Sequence, residues 1–255
     1  MQVYLAGDTG AWRYLDRHTD YLTPAKAKDL NVLMSFYYAL KGSDPQNIRL
    51  IPCFKNFMLD SGAFSFMQGN GGSLNFDEYI EQYAEFIKLH SVKRFFELDI
   101  DSVVGYEKVK EYRRKLERLA GAQFIPVWHK SRGRDEFLRM CDEYQYVSIG
   151  GIVSKEIKPQ EHKYFPWFIA EAHRRGIKIH GLGYVDMKGI GKYHFDSVDA
   201  TNWMSGSRFG VIYQFNGKTL LHGRRPEGTR VKPDRVSIHN FIEWQKFIKY
   251  AETHL

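Results

Sequence analysis

The sequence predicts an α/β protein of the (β/α)8 TIM-barrel class with a basic C-terminal loop region and a terminal helix, and three observations carry that prediction. Short apolar runs alternate with longer amphipathic segments along the whole chain, the pattern of parallel strands joined by crossover helices. Eight such runs can be counted, and 255 residues with 43% hydrophobic content suffice to close and fill one barrel. Most of the runs end in aspartate, histidine or glycine, as expected where strand C-termini converge on a functional mouth.

The predicted strands are Val3 to Ala6, Ile48 to Pro52, Phe57 to Asp60, Phe95 to Ile100, Phe124 to Trp128, Tyr146 to Ile149, Ile177 to Gly181 and Ser197 to Thr201. The second has the least support, because Pro52 ends it and Cys53 to Asn56 leave little room for a helix. Asn75, with Glu78 placed as in a capping box, predicts a helix start, and Phe76, Tyr79, Ile80, Tyr83 and Ile87 form one apolar face after it. Tyr106, Val109, Tyr112, Leu116 and Leu119 repeat the spacing in the next helix, and Phe165, Phe168, Ile169 and Ala172 in a later one stopped by Gly176. These stripes read as core. A single domain spans 1–255: a barrel over about 1–210, then a stretch rich in Gly, Lys and Arg (Phe209 to Arg235) and a last helix from about Ser237 through His254.

Lys plus Arg number 37 against 30 Asp plus Glu, a net +7, which suits a polyanionic partner without specifying one. Cys53 and Cys141 lie far apart with no ligand-spaced Cys or His nearby, which excludes a Cys-rich structural zinc site and a disulfide framework and predicts two buried free thiols. The N-terminal run turns polar at Asp8, so neither a signal peptide nor a membrane span is expected, and the predicted setting is cytoplasmic.

Two aspartates stand out at strand ends, in Leu59-Asp60-Ser61-Gly62-Ala63-Phe64 and in Phe195-Asp196-Ser197-Val198. A carboxylate is a competent nucleophile toward a sugar carbon, and a second one nearby can shuttle the proton. Other strand ends supply Asp99 and Asp101, His129 and Lys130, Gly150 and Gly151, and His180 to Gly183.

The series LDSGAF, ELDID, SIGGIV, HGLG and FDSVDAT, in that order over about residues 57–210, resembles the tRNA-guanine transglycosylase superfamily. Ala63 stands where those enzymes keep a second glycine, their C-terminal zinc site is absent, Pro126-Val127-Trp128-His129 replaces a glutamine region, and Asp199-Ala200-Thr201-Asn202-Trp203 replaces a proline-threonine-arginine stretch. The combination is most like the 7-deazaguanine transglycosylases of phage and bacterial DNA modification systems. The resemblance implies replacement of guanine in DNA by a 7-deazaguanine, with tRNA as the alternative polymer, no cofactor or resident metal, and the host cytoplasm as the setting if the gene is viral. It implies Asp196 as the nucleophile that holds the sugar covalently and Asp60 as the acid/base group.

A carboxylate accepts the N1 and N2 protons of guanine, which makes Asp99 or Asp101 the expected reader of its edge, Glu97 sharing their face. Gly150 and Gly151 admit backbone donors to the purine carbonyl, Ser61, Gly62 and Gly183 shape the pocket, Phe64 is a stacking candidate, and His129 and His180 are candidate donors or bases. Phosphate contacts are expected from Arg132, Arg134 and Arg208 near the mouth and from Lys218, Arg224, Arg225, Arg230 and Lys232 in the basic stretch. Two other classes remain open: a lyase forming a Schiff base on Lys130, and a catalytically idle nucleic-acid-binding barrel. Oligomeric state stays open, since the zinc region bordering a dimer surface in the larger enzymes is missing.

Overall fold

In the computed structural model the described residues are 1–7, 9–18, 20–42, 45–62, 65, 75–186, 190–224 and 232–255. Seven strands form one parallel sheet: β1 (Gln2–Ala6), β2 (Asn31–Ser35), β3 (Asn56–Asp60), β4 (Val127–Trp128), β5 (Tyr146–Ile149), β6 (Lys178–Gly181) and β7 (Ser197–Ala200). Their order is β3-β2-β1-β7-β6-β5-β4, with the chain doubling back at β1 and β7, where Tyr4 pairs with Asp199. The sheet curls until its two edges flank a common segment. Phe95 bridges Leu59 of β3, and Phe96 bridges Ile125 on the approach to β4.

Alternation along the strands splits the apolar side chains into two sets. Tyr4, Ala6, Leu33, Met58, Phe96, Ile125 and Val127 form a cluster on the concave side of the sheet. The larger cluster lies between the sheet and helices α1 (Thr9–Arg17), α2 (Phe76–Leu89), α3 (Tyr106–Ala120), α4 (Gly133–Glu143), α5 (Phe165–Arg174) and α6 (Pro233–His254). Burial on both faces is why these strands read as near-continuous apolar runs. Asn75 caps α2 by accepting from the Asp77 and Glu78 amides while its own amide donates to Glu78. Gly121, at φ 69°, ends α3 in the left-handed conformation.

Sequence and structure part at three elements. Ile48 to Pro52 is no strand: Pro45–Leu50 is a helix and Ile51–Cys53 a 3-10 turn, while the second strand is Asn31–Ser35. The Phe95 to Ile100 run contributes only the two bridges at Phe95 and Phe96 before a helical turn at Asp101–Val104. The basic stretch contains a hairpin, β8 (Val211–Phe215) with β9 (Leu220–Arg224), whose first strand is capped by α6 side chains: Asn240 Oδ1 accepts from the Tyr213 amide and Glu243 Oε2 from that of Phe215. Cys141 is buried, its thiol pushed up to about 12 by burial, but Cys53 is only half-buried. Among the described residues no helix is long and apolar enough to cross a membrane.

Candidate active site at the strand C-termini

Asp60 is the last residue of β3 and pairs in register with Ser35 of β2, which sets it at the C-terminal mouth of the sheet. Asp196 precedes β7 and lies at the opposite end. Its carbonyl accepts from the Gln2 amide at 2.9 Å, its carboxylate accepts from the Ile179 amide at 2.8 Å, and His173 Nε2 is 3.0 Å away. There it lines a basal cavity of about 380 Å³ with Gln2, Lys55, Tyr146, Lys178 and Glu252. The expected pairing of Asp60 with Asp196 is therefore wrong, because the length of β7 separates Asp196 from the mouth.

Another aspartate of the same motif faces Asp60. Asp199 lies three residues further along, and its charge, with that of Asp99, reaches the Asp60 carboxyl. Burial is the largest cause that pushes Asp60 up to about 7, the Asp199 and Asp99 charges add to it, and the hydrogen bond from the Gly62 amide (2.9 Å) opposes it. Asp60 remains partly open to solvent, so a proton can enter and leave. Gly62 adopts φ 78°, and a Cβ there would stand 2.5 Å from Tyr37 Cβ, so only glycine fits the turn that delivers its amide to Asp60. Ser61 is buried, and its carbonyl accepts from the Tyr79 hydroxyl at 2.5 Å.

Asp199 is held from two sides. The Gly183 amide donates to its Oδ1 at 2.5 Å, and His180 Nε2 lies 3.2 Å from the same atom. Asp99 faces His129, whose Nε2 is 2.6 Å from Asp99 Oδ1, an ion-pair contact without hydrogen-bond alignment, while Nδ1 is 2.7 Å from Glu156 Oε2. Burial opposes a charged imidazole here, but the two carboxylates outweigh it and push His129 up to about 10, and the same contact holds Glu156 down to about 2. His129 is thus a fixed cation at neutral pH and not the general base that its position at a strand end allowed.

Several expected contacts are engaged elsewhere. Asp101 pairs with Arg132, which also reaches Glu97 at 2.9 Å, and Glu97 is further bound by Arg113 and by the Val127 amide at 2.6 Å. Arg132 is 1% exposed, and neither it nor Asp101 is free for a phosphate or a base. Of the carboxylates at 97, 99 and 101, Asp99 is the one paired with a histidine and not with an arginine. The Gly150 amide donates to the Trp128 carbonyl and is spent on the sheet, and a Cβ at Gly150 would crowd Val127 and His129. Gly151, at φ 76°, turns the chain beside Glu156. His180 is fully buried and reaches the mouth only through Asp199.

Arg134 lies over the Trp167 ring at 4.9 Å. Lys130 is exposed and paired with Glu161 at 2.5 Å, a solvated ion pair that gives no support to a Schiff-base lysine. Lys218 occupies the hairpin turn, next to the Phe215–Leu220 pair whose Phe215 packs on Phe247 and Tyr250 of α6, away from the mouth. Arg224, paired with Val211, and Lys232, before α6, are exposed. Phe64, Arg225 and Arg230, and the side chain of Arg208, lie outside the described residues.

Sequence reasoning missed Asp199 as the mouth aspartate and Glu156 as the second arm of the His129 clamp. A strand's two-residue period was the available signal for Asp199, since it shares a face with Ser197 whereas Asp196 falls before the strand.

No family model matches the chain. It is 25% identical over 201 residues to "Uncharacterized protein 306" of Sulfolobus islandicus rod-shaped virus 1, a match covering 74% of this chain. The match covers 62% of the length of that viral relative. Among solved structures, the tryptophan synthase subunit alpha from Campylobacter jejuni aligns with a TM-score of 0.47 and 12% identity, covering 78% of this chain and 86% of that one. The carboxyl transferase domain of Rhizobium etli pyruvate carboxylase aligns with a TM-score of 0.48 and 11% identity, covering 98% of this chain and 48% of that one.

Proposed function

We propose that the protein is a pentosyltransferase that exchanges guanine in DNA for a 7-deazaguanine, with Asp199 as nucleophile and Asp60 as acid/base group. One observation carries the reading: the charges of Asp99 and Asp199 both reach Asp60 at a single strand-end face, and burial with those charges pushes Asp60 up to about 7. A general acid/base works best with a pKa near the operating pH, and Asp60 has it. The finer fold belongs to the same proposal: the curled sheet and the segment hydrogen-bonded to both of its edges through Leu59 and Ile125 make up a closed eight-stranded barrel.

In the first displacement, an Asp199 carboxylate oxygen bonds to the anomeric carbon of the target nucleotide, the bond from that carbon to guanine breaks, and guanine leaves with the proton of Asp60. In the second, the incoming 7-deazaguanine gives its ring N–H proton to Asp60 and bonds to the anomeric carbon as the Asp199 oxygen departs. Two inversions retain configuration, and the nucleic-acid backbone stays intact. Asp99, with one oxygen against His129, offers the other to the purine N1 and N2 protons. The target base must be flipped out or single-stranded, at a cost of a few kcal/mol that backbone contacts offset. Arg224 and Lys232 are exposed members of the basic stretch that suit those phosphates.

Purified protein given a guanine-containing DNA and 7-cyano-7-deazaguanine should release guanine and take up the analogue. Exchange into tRNA alone would overturn the choice of polymer, and exchange into neither would overturn the reaction.

A further inference from the structure

Below the mouth carboxylates runs a line of polar groups that the exchange chemistry leaves unused. His180 Nε2 lies 3.2 Å from Asp199 Oδ1, His180 Nδ1 is hydrogen-bonded to Ser197 Oγ, and Ser197 Oγ is 2.5 Å from the Tyr146 hydroxyl. His180 and Ser197 have no solvent exposure, while Tyr146 reaches the basal cavity. The rings of Tyr4 and Phe96 pack against the imidazole at 6.3 and 5.3 Å. The other titratable groups acting on this line are Tyr4, Arg94 and Asp196 around Tyr146, and Asp60 beyond Asp199.

Hydrogen-bond inventory gives the line a direction. Burial pushes the Tyr146 hydroxyl well above its ordinary range, so it keeps its proton and donates. With Tyr146 donating to Ser197 Oγ, the Ser197 O–H is free to donate to His180 Nδ1. Nε2 then carries the imidazole hydrogen and aims it at Asp199 Oδ1, which also takes the Gly183 amide. Every donor finds an acceptor. The opposite tautomer would aim the Nε2 lone pair at Asp199, which would then have to carry a proton, and would leave the Ser197 O–H without His180 as its acceptor.

We infer that Tyr146, Ser197 and His180 form a tautomer lock, with His180 as a positioning residue that keeps Asp199 an acceptor-only carboxylate and leaves the exchangeable proton to Asp60. The lock itself rests on the hydrogen-bond geometry; its catalytic consequence rests on the role proposed above for Asp199.

The test is long-range proton–nitrogen correlation on protein labelled with nitrogen-15 in histidine, from pH 6 to 9, with the His180 signals identified by their loss in His180→Gln. Wherever its imidazole is neutral, wild-type His180 should show the Nε2–H tautomer. Ser197→Ala should populate both tautomers and lower kcat for base exchange about tenfold or more with little change in KM, and Ser197→Thr should restore both. A wild-type His180 found as the Nδ1–H tautomer, or doubly protonated between pH 7 and 8, overturns the lock, as does an unchanged tautomer in Ser197→Ala. If Ser197→Ala fails to fold, the wild-type spectrum decides alone. A locked spectrum from a protein that exchanges no base supports the lock and overturns only the exchange reaction.

Discussion

Replacing Asp60 by Asn removes the carboxyl that sits above its ordinary range and leaves an amide oxygen to accept from the Gly62 amide. A carboxyl raised from 3.8 to about 7 is disfavoured as the anion by roughly 4 kcal/mol, and its partial opening to solvent trims that to about 2–4 kcal/mol. The sign follows from proton binding. Below pH 3.8 both the folded and unfolded chains hold the proton and the group is neutral for stability; between 3.8 and about 7 the folded chain holds it more firmly, so wild-type stability falls as pH rises, and above 7 the loss is complete. Asp60→Asn lacks this fall. Its stability relative to wild type should therefore climb by about 2–4 kcal/mol from pH 4 to pH 8, read from urea unfolding midpoints at equal m-values. A stability difference that stays flat across this range would refute the burial and charge clustering assigned to Asp60. The same variant should lose base exchange at every pH.

Three further outcomes are expected. Arg132→Ala removes the partner of half-buried Asp101 and one of the two arginines on buried Glu97, which Arg113 still holds, and should cost about 3 kcal/mol in urea unfolding. Gly183→Ala forces a side chain onto a residue at φ 70° with its Cβ 2.3 Å from Val153 Cγ2; unfolding should show a loss of about 1–3 kcal/mol, together with a fall in exchange because the amide that holds Asp199 is displaced. Lys130→Ala removes an exposed ion pair with Glu161, and should leave stability within about 0.5 kcal/mol and base exchange unchanged.

How much the sequence disclosed depended on which force set each element. Amphipathic periodicity located α2, α3 and α5 to within a residue or two, because a helix with one apolar face has few other ways to bury it. Strand β5 was legible because Tyr146 to Ile149 is bounded by Gln145 and Gly150. The Asn31-Val-Leu-Met-Ser strand was not, since it runs straight into the Phe36–Leu40 helix with no turn residue between them, and its three-residue apolar run has no period of its own. At the mouth, motif order found Asp60 and Asp99 but chose the wrong aspartate of Phe195-Asp196-Ser197-Val198-Asp199. Matching by motif ignores where a strand begins, and that start alone puts Asp196 at the base and Asp199 at the mouth. The clamp on His129 was invisible because Glu156 comes from a loop 27 residues away, and only tertiary closure joins them.

Intact-mass analysis of the protein mixed with a guanine-containing oligonucleotide, run side by side on Asp199→Asn and Asp196→Asn, bears most directly on which carboxylate does the chemistry. A covalent protein–oligonucleotide adduct should form with wild type and with Asp196→Asn, together with free guanine, and should be missing from Asp199→Asn. An adduct that survives in Asp199→Asn and vanishes in Asp196→Asn would contradict the assignment of the mouth as the reacting end.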